Sequence, residues 1–268
     1  MFSFKKRRRK RLMEQKLPSD WLAIIENNVP YYHLLRSEDK NRLQGLINVF
    51  LNEKHFEGCG GLEITDEIRL TIAAQACILL LGHKTDFYPT LRSILVYPNA
   101  YVVPIKNNQP DGTVFEGIES RLGESWLHGY VVLSWDDVLQ GASDFHDGKN
   151  LVFHEFAHQL DSESGSVEGA PILPRQSMYI AWARILGKEF QSLIDSIVQN
   201  KPTLLDKYGA KSPAEFFAVA TEFFFEKPVE LKNRHPELYE QLQLFYQSDP
   251  AELVWNAALA REKDNSDF

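Results

Sequence analysis

His154-Glu155-Phe156-Ala157-His158 sets two imidazoles four residues apart with a carboxylate beside the first. On an α-helix such a pair is separated by about 40° around the axis and about 6 Å along it, so both rings can reach one metal ion. Glu155 is then next to that ion, placed to take a proton from water that the ion polarises. The expected cofactor is zinc, one ion per chain, and the expected chemistry is hydrolysis. The alternative is a core helix with two hydrogen-bonded histidines. Burying imidazoles without partners is costly, and a tetrahedral ion removes that cost.

A catalytic zinc site needs three protein ligands and leaves one position open. Asp161 and Ser164 stand where a metzincin would have its glycine and third histidine, so the third donor must come from elsewhere. A carboxylate on a later helix packed across the first meets the need, and Glu215 is the preferred candidate. Two other readings stay open at this point. Ser212-Pro213-Ala214-Glu215 equally fits a capping box, in which Glu215 bonds back to the helix start. Glu222, seven residues on and about 20° off the same stripe, is a rival ligand or an acceptor for a ligand histidine. Asp161 shares the polar stripe of His154 and His158, either as a partner of one of them or as an ordinary polar residue at the helix end.

The elements that must position these groups can be read from periodicity. Leu151, Val152, Phe153, Phe156, Ala157 and Leu160 make the motif helix apolar on most of its circumference, as expected of a buried helix starting near Gly148 or Asn150. Helical patterns also cover about 20–28, 37–54, a stretch capped by Thr65 that runs to Gly82, about 177–199, and a Phe-rich helix from Ser212-Pro213; shorter ones follow Pro236 and Pro250. Ser93–Tyr97, Tyr101–Val103 and Gly129–Trp135 read as strands, and Ile105–Gly123, rich in turn formers, reads as a loop. The order is helices, short strands, helices: an α+β fold, mainly helical, with a small sheet. Residues 17–268 are expected to form one domain, with a helical part over about 17–90 and a catalytic part over about 91–268.

Composition narrows the class. The 268 residues are 44% apolar and 25% charged, as in ordinary globular proteins. The longest apolar stretch, Leu70–Leu81, contains Thr71 and Gln75 and is too short to span a bilayer. Two cysteines exclude a disulfide scaffold, and with no secretory signal visible a cytoplasmic location is expected. Lys5–Arg11 are seven consecutive cations; removing this +7 from the net charge of −8 leaves −15 for the remainder. An acidic body without a recognisable nucleic-acid-binding pattern argues against nucleic acid as a direct partner. Residues 1–16 are expected to be a solvated, disordered basic tail.

The segments His154–Asp161 and Tyr208–Phe225 resemble those of the Mlc titration factor A family of bacterial zinc metallopeptidases. Leu95-Val96-Tyr97-Pro98, Gly123-Glu124-Ser125-Trp126 and Val131–Trp135 resemble its middle section, so the likeness runs from about residue 20 to 250. The resemblance implies a gluzincin-like zincin fold whose metal is held by His154, His158 and the Glu of a P-A-E-x-F-A-V segment, Glu215 here. It further implies that Tyr208 faces the metal, as in the catalytic domain of anthrax lethal factor, and works beside Glu155 in catalysis. The implied activity is peptide-bond hydrolysis, with aminopeptidase action as one form. The implied partners are a peptide or protein substrate and a Mlc-like transcriptional repressor of glucose uptake. A protein acting chiefly by binding that repressor is the alternative function. The polybasic start is not a feature of the resemblance.

Overall fold

The computed structural model describes residues 2–82, 86–99, 102–108, 114–120, 129–144 and 146–266. Helices α1 (Phe2–Met13), α2 (Ser19–Asn28) and α3 (Ser37–Glu53) lead into strand β1 (His55–Gly58) and helix α4 (Asp66–Ile78). Strands β2 (Ser93–Tyr97), β3 (Val102–Asn108), β4 (Val114–Ser120) and β5 (Tyr130–Ser134) come next. Helices α5 (Trp135–Ser143), α6 (Leu151–Ser162), α7 (Met178–Val198), α8 (Pro213–Glu226), α9 (Pro228–Arg234), α10 (Pro236–Tyr246) and α11 (Pro250–Ser266) follow. The fold is α+β and mainly helical.

The β1, β2 and β5 strands form a parallel sheet with β2 in the middle, Leu95 opposite Val132 and Val96 opposite Leu133. Parallel neighbours need long crossovers, and α4 supplies the one between β1 and β2. Ile94, Val96, Val131, Val132 and Leu133 are buried, so β5 and one face of β2 lie in the core, while β1 alternates between exposed and half-buried positions. Among the described residues its two edges are β1 and β5, and α6 packs against β5.

Two expectations about local structure are corrected. The stretch expected as a loop from Ile105 contains most of an antiparallel pair, β3 with β4, in register from Val102↔Ser120 to Asn108↔Val114. Pro110-Asp111-Gly112 falls between these strands in sequence and outside the described residues; Gly123-Glu124-Ser125-Trp126, after β4, also lies outside them. Turn formers midway between two β-branched runs are the sequence mark of a hairpin as much as of a loop. The basic segment is helical over Phe2–Met13, where a disordered tail was expected. Its anchor is non-local: Arg9 grips both carboxylate oxygens of Glu53 at 2.7 Å, pairs with Asp86, and covers the Phe87 ring at 4.6 Å. Met13 passes so close to Gly45 of α3 that a Cβ there would lie 2.6 Å from the Met13 carbonyl oxygen.

The α6 helix runs through the centre of the core. Val152, Phe153, Phe156 and Ala157 are all buried. The Phe156 ring meets Tyr88 at 4.9 Å and Phe50 of α3 at 5.8 Å, while Phe153 meets Phe225 of α8 at 5.2 Å. Both halves of the chain thus grip the motif helix, and the apolar core is continuous from Leu17 to Leu253.

Candidate metal centre

Asn150 starts α6. Its Oδ1 accepts from Phe153 N at 2.9 Å, and its Nδ2 donates to Gln75 Oε1 at 2.9 Å and to the Gly141 carbonyl at 3.2 Å. This fixes the rotation of the helix, and with it the face on which His154 and His158 stand. At the start of α8, Ser212 Oγ accepts from Glu215 N at 3.2 Å, with Pro213 at the first helical position. The two helices pack together and bring Glu215 across from the histidines.

The three side chains converge. His154 Nε2 lies 3.2 Å from His158 Nε2 and 3.0 Å from Glu215 Oε2, and His158 Nε2 lies 3.3 Å from the same oxygen. Ligands at 2.0–2.1 Å around a tetrahedral ion stand about 3.3 Å apart, so the triangle has the size such an ion requires. Of the three, the His158 side chain is 0% exposed while those of His154 and Glu215 are 13% and 16% exposed, so the group is closed behind and open on one side. Glu222 Oε1 accepts from His154 Nδ1 at 2.8 Å, and Glu222 Oε2 accepts the Asn150 backbone N–H at 2.6 Å. That leaves His154 Nε2 to face Glu215.

The electrostatics suit a cation. Burial opposes charge on His154, but its hydrogen bonds to Glu215 and Glu222, and the Glu222 charge, hold it well above the ordinary imidazole value. Burial pushes His158 the other way, to about 4, which keeps a neutral ring with a lone pair to offer. Burial would raise Glu215, yet hydrogen bonds from His154 and His158 dominate and bring it to about 2, so it is an ionised donor. Glu222 is pushed up by burial, against the His154 and Asn150 hydrogen bonds. The neutral His158, His154 once it yields its proton to an arriving ion, and the Glu215 anion bring three donors to one point, a set that fits a divalent metal ion.

The profile of glucose-regulated metallo-peptidase M90 matches residues 4–247. The chain belongs to this family. An uncharacterized protein of Synechocystis is 43% identical over 245 residues, covering 91% of this chain and 89% of its own. Mlc titration factor A of Pectobacterium atrosepticum is 33% identical over 233 residues, 86% of each chain. Mlc titration factor A of Escherichia coli is 30% identical, also over 233 residues. M90 membership implies a metal ion, and the His154, His158 and Glu215 donor atoms, all within 4.8 Å of one another, form a candidate place for it.

The other residues singled out in this M90 chain fall as follows. Glu155 is buried, 2% exposed, on α6. Tyr208 lies in a short 3-10 turn, Lys207–Ala210, begun by Asp206, whose Oδ1 accepts from Tyr208 N at 2.8 Å. Its ring is 5.8 Å from that of His154, and the residue is 42% exposed. Asp161 turns out to hold a loop: its two oxygens accept from Gly169 N and Ala170 N, each at 2.7 Å. Sequence reasoning offered Glu222 as an acceptor for a ligand histidine but missed Gln75 and Asn150, which extend that link into the chain Gln75–Asn150–Glu222–His154. The available signals were Gln75 standing inside an apolar run and an asparagine opening the motif helix.

Proposed function

We propose that this chain is a zinc-dependent peptidase, with zinc held by His154, His158 and Glu215 and with Glu155 as the proton carrier. The observation that carries the reading is the convergence of the three donor atoms at 3.0–3.3 Å, in a chain of a metallopeptidase family. Zinc in such a site supplies Lewis acidity and lowers the pKa of water toward about 7. Glu155 accepts the proton of the water that adds to the peptide carbonyl carbon. As the C–N bond breaks, the same carboxyl gives that proton to the departing amine nitrogen. Glu222 keeps His154 in one tautomer and orientation. Tyr208, two-fifths exposed beside His154, donates its hydroxyl proton in a hydrogen bond to the carbonyl oxygen as negative charge gathers there.

Glu155→Gln keeps size and removes the base. The expected result, on a panel of aminoacyl and peptide substrates, is loss of at least 100-fold in turnover, as is typical of a lost general base (~10²–10⁴), with metal content unchanged. Unchanged turnover removes Glu155 from the mechanism. Cleavage from the amino end is the narrower form, and the aminoacyl members of the panel test it.

A second reading rests on the relatives named Mlc titration factor A, 30–33% identical over most of both chains. We infer that the chain also binds a repressor of the Mlc type. Glu155→Gln separates the two activities: it captures such a repressor without cutting it if binding is independent of hydrolysis.

A further inference from the structure

The α1 helix carries charge in a way that the peptidase reading leaves unused. Arg9, its side chain 15% exposed, points inward to Glu53, and Leu12 and Met13 pack on the core. At 100° per residue, Phe4, Arg7 and Arg11 fall on the opposite stripe, Arg8 and Lys10 flank it on either side, and Lys6 lies nearer the core edge beside Met13. Phe4 and these five cations are all exposed. Among the described residues, Lys6, Arg7, Arg8 and Arg11 have no acidic partner, and Lys10 has only Glu14 at 3.9 Å.

This arrangement is unfavourable for an isolated helix. Like charges at i,i+4 repel, as in Lys6–Lys10 and Arg7–Arg11, and cations near a helix N-terminus oppose its dipole. The first turn has no acid to relieve them. The inward contacts through Arg9 hold the helix together in spite of this and leave a cationic ridge whose backbone spans about 8 Å from Lys6 to Arg11. A polyanion laid along the ridge neutralises it.

We propose that α1 docks the protein on an anionic lipid surface. Two observations favour a bilayer over nucleic acid. Phe4, 78% exposed, stands on the cationic stripe itself, where an aromatic ring can enter the headgroup boundary. The rest of the molecule carries −15 against +7 on this segment. A flat anionic surface can touch the ridge alone, whereas a nucleic acid long enough to leave the helix meets the repelling body. Each cation near such a surface strengthens binding about fivefold, so attachment is reversible and salt-sensitive.

The test uses the full chain sedimented with vesicles of phosphatidylcholine alone, or of phosphatidylcholine with one third phosphatidylglycerol. Binding is expected only to the second, and is expected to vanish near 1 M salt, where the screening length is about 3 Å. Combining Arg7→Gln, Lys10→Gln and Arg11→Gln should weaken it on the order of 100-fold, and Phe4→Ala should weaken it several-fold, with no fall in the thermal unfolding temperature. The salt response of the unaltered chain stands as a readout should the triple variant fold poorly. Equal binding to both vesicles, no binding to either, or tighter binding of a duplex oligonucleotide at the same salt overturns the proposal.

Discussion

Glu215 Oε2 stands between two imidazole nitrogens, whereas Glu222 reaches the far side of one ring to meet Nδ1 of His154. Seven residues apart on one buried helix, the two acids differ in what they face. Glu215→Ala should therefore abolish tight zinc binding, while Glu222→Ala, which loosens one ligand's orientation, should weaken it about 10–100-fold. Titration of zinc against a chelating indicator measures both, and the reverse order would assign the third donor wrongly. The sequence left Glu215 divided between a cap and a ligand because the two roles use different atoms. Its backbone N–H is capped by Ser212 while its carboxylate turns to the histidines. Asp161 was legible only as polar and buried, since its partners, Gly169 and Ala170, belong to a loop without periodicity.

Among the elements, those with apolar periodicity were readable nearly to their ends: the motif helix, α7 and α8, and the strands β2 and β5. The α1 helix was not, because seven cations in a row predict repulsion and the compensating acids lie 44 and 77 residues away from Arg9. Strand β1, strand β4 and the part of β3 beyond Val103 were hidden for a similar reason, since partners distant in sequence decide whether a short segment is a strand. If Arg9 is the anchor, Arg9→Ala should cost on the order of 1 kcal/mol and loosen α1 selectively. Limited trypsin digestion should then cut within Lys5–Arg11 several-fold faster, with the remainder of the chain intact. Unchanged cutting would mean that Leu12 and Met13 hold the helix without it.

For the whole molecule, one buried acid sets a pH signature. Burial pushes the Glu226 carboxyl up to about 9, and neither of its oxygens has a hydrogen-bond partner among the described residues. The folded chain keeps this proton where the unfolded chain, with an ordinary value of 4.5, has lost it. The contribution therefore favours folding most at low pH, declines from the unfolded value upward by at most about 1.4 kcal/mol per unit, and levels off above about 9. Glu226→Gln should flatten the fall in stability between about pH 5 and about pH 9 and raise the unfolding midpoint at the alkaline end. Parallel curves for the two proteins in urea unfolding would place the proton elsewhere. The M90 assignment, and the fact that both halves of the chain pack on α6, give the same picture at this scale: a core built to hold one helix in one rotation.

The central claim is that His154, His158 and Glu215 share one zinc ion. Diffraction from crystals grown with zinc, recorded on both sides of its absorption edge, tests it directly. The account predicts one anomalous peak per chain, about 2.0–2.2 Å from His154 Nε2, His158 Nε2 and a Glu215 oxygen. A map with no peak among these atoms, or with the metal on another set of residues, contradicts it.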